Sequence, residues 1–91
     1  MKGVLVAIGG MDPTTHAGLM ADARVFEHYS LPYRTITTAV TAQSNRKFLS
    51  YEAVSLKTFR DQLNSIKEGV LGVKIGMLGS TRFLTPLFAW L

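Results

Sequence analysis

The feature that most constrains this chain is an alternation. Three short runs of apolar and β-branched residues, 3–8 (GVLVAI), 34–40 (RTITTAV) and 70–78 (VLGVKIGML), are separated by stretches with helical spacing. Each run opens into a loop of small or polar residues. Strands that alternate with helices of about 12 residues predict a parallel sheet joined by right-handed crossovers. Run 3–8 is continuously apolar rather than alternating, the pattern of a strand covered on both faces. The expected fold class is therefore α/β, three layers, a parallel sheet flanked by helices in the order β-α-β-α-β-α. In such a sheet, ligands bind just beyond the carboxyl ends of the strands. The loops at 11–18 (MDPTTHAG), 41–45 (TAQSN) and 76–78 (GML) are expected to form one wall of a small-molecule site.

The connecting stretches carry helix signals. Gly9-Gly10 and Asp12-Pro13 end the first strand with turn chemistry. Thr14 or Thr15 is the expected N-cap of a helix over about 17–29, with Leu19, Ala23 and Phe26 on one face. Leu31-Pro32 breaks it. Residues 44–51 read as loop. Ser55 is a good N-cap for a helix over 56–68, whose Leu56, Phe59, Leu63 and Ile66 form an amphipathic stripe. Gly69 is its expected C-cap. Ser80 or Thr81 caps a last helix that presents Phe83, Leu84, Leu87, Phe88 and Leu91 on one broad face. That apolar stretch reaches Leu91 without a capping signal, so residues 1–91 are expected to be the N-terminal portion of a single larger domain.

Composition excludes several classes. The chain has 91 residues, 47% hydrophobic and 18% charged, which is globular rather than disordered. The formal charge is +4, but the basic residues are scattered and no run exceeds Arg46-Lys47. No nucleic-acid partner is expected. There is no cysteine, hence no disulfide or thiolate metal site. The opening apolar run is too short for a signal peptide or membrane span. A cytoplasmic protein without a membrane partner is expected.

The candidate site residues have two readings each. The first loop is neither GxxxxGK[ST] nor GxGxxG. It places a helix N-terminus directly after a strand, where free N–H groups hold an anion or a polar ligand edge. Alternatively, Gly9, Gly10, Asp12 and Pro13 simply make a tight turn. Asp22, one turn into the helix, is a ligand group or a solvated acid favoured by the helix dipole. The amide of Gln43 offers both donor and acceptor, which suits a heteroaromatic ring carrying an amine beside a ring nitrogen. Otherwise it is an ordinary loop glutamine. Met77 packs on a flat ring or belongs to the core. His16 and His28 share no metal geometry, and no catalytic triad or carboxylate pair can be assembled.

Taken together, these residues resemble a known family: the hydroxymethylpyrimidine/phosphomethylpyrimidine kinases of thiamin biosynthesis, in the ribokinase-like superfamily. That family opens with a segment like AGSDPSGGAGIQAD; here residues 9–22 read GGMDPTTHAGLMAD. Its second strand ends in TALTAQN, here TAVTAQS at 38–44. Its third ends in VKIGMLGS, matched letter for letter at 73–80. The resemblance implies that the amino-pyrimidine is held by Asp22, Gln43 and Met77, with backbone help near Gly10, Ala17 and Gly18. It further implies transfer of the γ-phosphoryl of ATP, with Mg²⁺, to the hydroxymethyl group and then to the resulting monophosphate. The family's glycine-rich anion hole and catalytic residue lie in its C-terminal half, so no catalytic or metal-ligating residue is expected here. A homo-oligomer is expected.

Two departures stand out. The family's Gly-Gly is Thr15-His16 here, and its Gln is Met20. The first removes backbone freedom at a close-approach turn. The second replaces an amide with a thioether. Alternatives to a thiamin-pathway kinase are a pyridoxal kinase-like enzyme and a non-catalytic interaction module completed by a partner chain.

Overall fold

The computed structural model describes residues 3–91. Its elements are strand β1 (Gly3–Met11), helix α1 (Gly18–His28), strands β2 (Tyr33–Gln43) and β3 (Phe48–Ala53), helix α2 (Leu56–Ser65), strand β4 (Gly69–Ile75), a 3₁₀ turn (Thr81–Phe83) and helix α3 (Leu84–Trp90). They form one four-stranded sheet in the order β3-β2-β1-β4. β1 lies centrally and pairs in parallel with both β2 and β4. That position explains its unbroken apolar run: Val6, Ala7 and Ile8 are all fully buried.

Alternation along β1 sends its side chains into two layers. Val4, Val6 and Ile8 join Ile36, Phe59, Leu63, Phe83 and Leu87 in the main core, under α2 and α3. Phe59 and Phe83 stack at 4.3 Å between ring centroids. On the opposite face α1 packs on β1 and β2 through buried Leu19. Helices thus cover both sides of the sheet. No helix among the described residues is long and apolar enough to cross a membrane.

The sheet departs from the all-parallel expectation at one edge. Residues read as loop form β3, which pairs antiparallel to β2. The four residues 44–47 close the hairpin, with the Ser44 amide donating to the Lys47 carbonyl at 2.8 Å and the Ser44 hydroxyl accepting from the amides of Arg46 and Lys47. β3 leaves Phe48, Leu49 and Tyr51 exposed. No core face imposes a period on it, so main-chain pairing rather than burial defines it.

Element ends also shift. β1 and β2 each run three residues beyond their expected ends, carrying Gly10 and Gln43 onto the sheet. Ser55 caps α2 as expected, accepting from the Thr58 amide at 3.0 Å, and Ser80 caps the 3₁₀ turn, accepting from the Arg82 amide. α1, however, has Ala17 at its N-cap and no side-chain cap. Thr14 is engaged elsewhere, and Thr15 sits in the turn ahead of the helix. α2 ends at Ser65, with Ile66 rather than Gly69 at its C-cap. Ile66 packs against the core, which turns the chain early and leaves Gly69 to open β4 beside Gly3. Phe83 and Leu87 of the last segment are buried, whereas Phe88 and Leu91 face outward.

Candidate functional site

Three loops meet at the carboxyl ends of β1, β2 and β4. Between them lies a cavity of about 200 Å³ lined by Gly9, Gly10, Asp12, Ala17, Gly18, Asp22, Thr41, Gln43, Lys74, Gly76 and Met77. All six residues singled out from the sequence, Gly10, Ala17, Gly18, Asp22, Gln43 and Met77, are among them.

The floor is built by close backbone approach. Gly18 begins α1 with φ +66°, and a Cβ there would lie 2.3 Å from the Gly10 carbonyl oxygen. Only glycine fits both the conformation and the distance. Gly10 has a different role. A Cβ on it would meet Met77 Sδ at 3.4 Å and Thr41 Cγ2 at 3.5 Å, which is ordinary contact. Its missing side chain leaves space rather than relieving strain.

Two threonines of β2 tie the walls together. The pairing of β1 with β2 slips between Gly9 and Gly10, where Gly9 opposes Thr37 and Gly10 opposes Ala39. Such a bulge re-aims the strand next to a site. The extra residue, Thr38, is fully buried and donates its hydroxyl to the Met77 carbonyl at 2.6 Å, anchoring the third loop to β2. Thr41 donates its hydroxyl to the Met11 carbonyl at 3.0 Å and accepts from Gln43 Nε2 at 3.0 Å.

Charge is concentrated at one rim. Lys74 on β4 opposes Ala7 and so faces the α1 layer, where its Nζ lies 3.1 Å from Asp22 Oδ2. The Asp22 side chain is 18% exposed and that of Lys74 53%. Asp12 is buried, with both carboxylate oxygens occupied by Thr14: the amide donates to Oδ1 and the hydroxyl to Oδ2, each at 2.8 Å. No buried side-chain polar atom among the described residues lacks a hydrogen-bond partner. Nor do the described residues place three or more His, Cys, Asp or Glu side chains where they would hold a metal ion.

The unusual Thr15-His16 pair is accommodated with strain. Thr15 takes φ +62°, a region costly for a β-branched residue. The Arg24 guanidinium donates to its carbonyl and to its hydroxyl. His16 has an ordinary φ, and neither it nor Met20 lines the cavity. Sequence reasoning passed over Lys74, Thr38 and Thr41. The available signal was a lysine interrupting the apolar run of the third predicted strand, and threonines at 38 and 41 of a strand that ends in glutamine.

The comparisons agree with this fold. The family model described as phosphomethylpyrimidine kinase matches residues 12–91. A hydroxymethylpyrimidine/phosphomethylpyrimidine kinase from Aquifex aeolicus is 30% identical over 79 residues, which is 85% of this chain and 31% of that protein. The solved phosphomethylpyrimidine kinase of Clostridium difficile superposes with a TM-score of 0.86 at 25% identity, covering 98% of this chain and 41% of its own. The Bacillus subtilis pyridoxal kinase, solved as an ADP complex, gives a TM-score of 0.84 over 99% of this chain and 35% of its own; at 23% identity it shows the fold alone. The chain spans about a third of the length of the curated relatives it matches.

Proposed function

We propose that this chain, which belongs to the phosphomethylpyrimidine kinase family, supplies the pyrimidine-recognising wall of a kinase site acting in thiamin biosynthesis. The substrates on this reading are 4-amino-5-hydroxymethyl-2-methylpyrimidine and its monophosphate. The observation that carries it is the convergence of Asp22 of α1, Gln43 at the end of β2 and Met77 beyond β4 on one cavity. Gln43 pairs with the ring amine and adjacent ring nitrogen, Met77 Sδ lies against the ring face, and Asp22 accepts from a donor at the ring edge. Gly10 lets the ring approach the backbone of β1. Phosphoryl transfer depends chiefly on positioning and charge stabilisation, and this chain's part is the positioning.

The described residues include no acidic cluster suited to Mg²⁺, and the sequence has no P-loop. On this reading ATP and Mg²⁺ are held by the two thirds of the relatives' length outside the matched part. Self-association belongs to the same reading, supported by the exposed Leu71, Ile75 and Phe88.

Titration of the chain with the hydroxymethylpyrimidine, followed by nuclear magnetic resonance, tests the proposal. Shifts should centre on Gly10, Asp22, Gln43 and Met77. Gln43→Ala should weaken binding by about 1–3 kcal/mol, the cost of leaving a buried ring group unpaired. The 91 residues alone should give no ATP-dependent turnover. Shifts elsewhere, or tighter binding of pyridoxal than of the pyrimidine, would refute the assignment.

A further inference from the structure

We propose that Thr41 is a positioning residue that determines specificity, by fixing which way round the Gln43 amide meets its ligand. The inference rests on the pyrimidine reading above and extends it to a residue outside the three motif side chains.

The argument is one of proton direction. The Met11 carbonyl only accepts, and it lies 3.0 Å from Thr41 Oγ1. The single hydroxyl proton of Thr41 is therefore committed to it. Reversing the bond would leave two oxygens facing each other at that distance with no proton between them. Thr41 Oγ1 then has only lone pairs to offer Gln43, so the amide atom 3.0 Å away must be the donor, Nε2. Thr41 is buried at 6% exposure, so water does not compete readily for these bonds. Its methyl faces the position a Gly10 side chain would take.

With one Nε2–H spent on Thr41, the amide presents its second N–H and its Oε1 in a fixed order. Such a pair fits a ring that offers an exocyclic amine and an adjacent unprotonated nitrogen. A 4-oxo ring has the opposite order, a carbonyl oxygen beside a protonated nitrogen, and fits only if the amide flips. A flip would set Oε1 against Thr41 Oγ1. A site built to hydrogen-bond one such pattern rejects the other because buried partners are left unpaired.

The test compares the unsubstituted chain with Thr41→Val, which keeps the shape and the methyl, and Thr41→Ser, which keeps the hydroxyl. Two measurements are made. The first is the Gln43 side-chain NH₂ signal without ligand. The second is the affinity ratio for 4-amino-5-hydroxymethyl-2-methylpyrimidine over its 4-oxo analogue. The unsubstituted chain and Thr41→Ser should favour the amino ring by roughly 10-fold or more. In Thr41→Val the ratio should fall to within about 3-fold, and the two NH₂ protons should become more nearly equivalent. A general loss of packing would weaken both rings alike and leave the ratio unchanged. An unchanged ratio in Thr41→Val overturns the Thr41 inference while the pyrimidine reading stands. Failure of the unsubstituted chain to bind either ring overturns both.

Discussion

Two glycines touch the same cavity for different physical reasons, and alanine at each should separate them. At Gly18 the φ of +66° alone costs an L-residue about 1–2 kcal/mol. The added Cβ would also sit 2.3 Å from the carbonyl oxygen of Gly10, more than an ångström inside the usual carbon contact of about 3.5 Å. That oxygen belongs to the central strand and cannot swing aside like a side-chain tip. Overpacking of this kind costs a further 1–3 kcal/mol or so. Alanine recovers about 0.4–1 kcal/mol through the unfolded state. Gly18→Ala should therefore destabilise by about 1–5 kcal/mol. At Gly10 the nearest atoms lie at 3.4 and 3.5 Å, and no left-handed φ is required. Gly10→Ala should stay within about 1 kcal/mol of the parent, yet lose pyrimidine affinity by roughly 10-fold because the methyl takes the ligand's place. Urea unfolding and calorimetric titration on the same samples decide. Equal stability of Gly18→Ala and the parent, or greater damage from Gly10→Ala than from Gly18→Ala, would refute the reasoning.

The parts of this molecule legible in the sequence are those where burial writes a period. β1 is covered on both faces, so 3–8 is unbroken apolar sequence. α2 buries one stripe, so Phe59 and Leu63 mark it. The site loops were legible for a different reason: Gly18 answers to a steric demand that only glycine meets, and Gly10 leaves open the space beside Met77 and Thr41. β3 was not legible. It pairs through its backbone along an edge, buries almost nothing, and leaves no pattern in FLSYEA. The N-cap of α1 differs from the expected threonine because a threonine before a helix has more than one use. Thr14 folds both of its polar groups onto the buried Asp12, which removes it from the helix end. The orientation of Thr41 leaves no mark in the sequence, because the direction of its hydroxyl proton is set by a carbonyl on another strand. The departure at Thr15 shows the converse. The sequence shows a lost glycine, and only the structure shows that the backbone keeps the glycine conformation, with Arg24 braced against it.

Three further predictions concern stability. Phe59 is fully buried and stacks on Phe83 with an interplanar angle of 17°. Phe59→Ala should cost about 3–5 kcal/mol, measured by urea unfolding, and a loss below about 1.5 kcal/mol would mean that α2 and the 3₁₀ turn do not share one core. Thr15→Gly should stabilise the chain. Its left-handed backbone costs a β-branched residue about 1–3 kcal/mol, which glycine removes, while the added freedom of the unfolded chain offsets about 0.4–1 kcal/mol. The weak contact from Arg24 to the Thr15 hydroxyl, at 3.4 Å, is lost, but the bond to the carbonyl remains available. The net gain should be about 0.5–2 kcal/mol. If Arg24 is what holds the strained turn in place, Arg24→Ala should be more damaging in the parent than in the Thr15→Gly background. A double-mutant cycle reads that difference directly. Additive effects would show that Arg24 is not the brace, and a destabilising Thr15→Gly would show that the turn is unstrained.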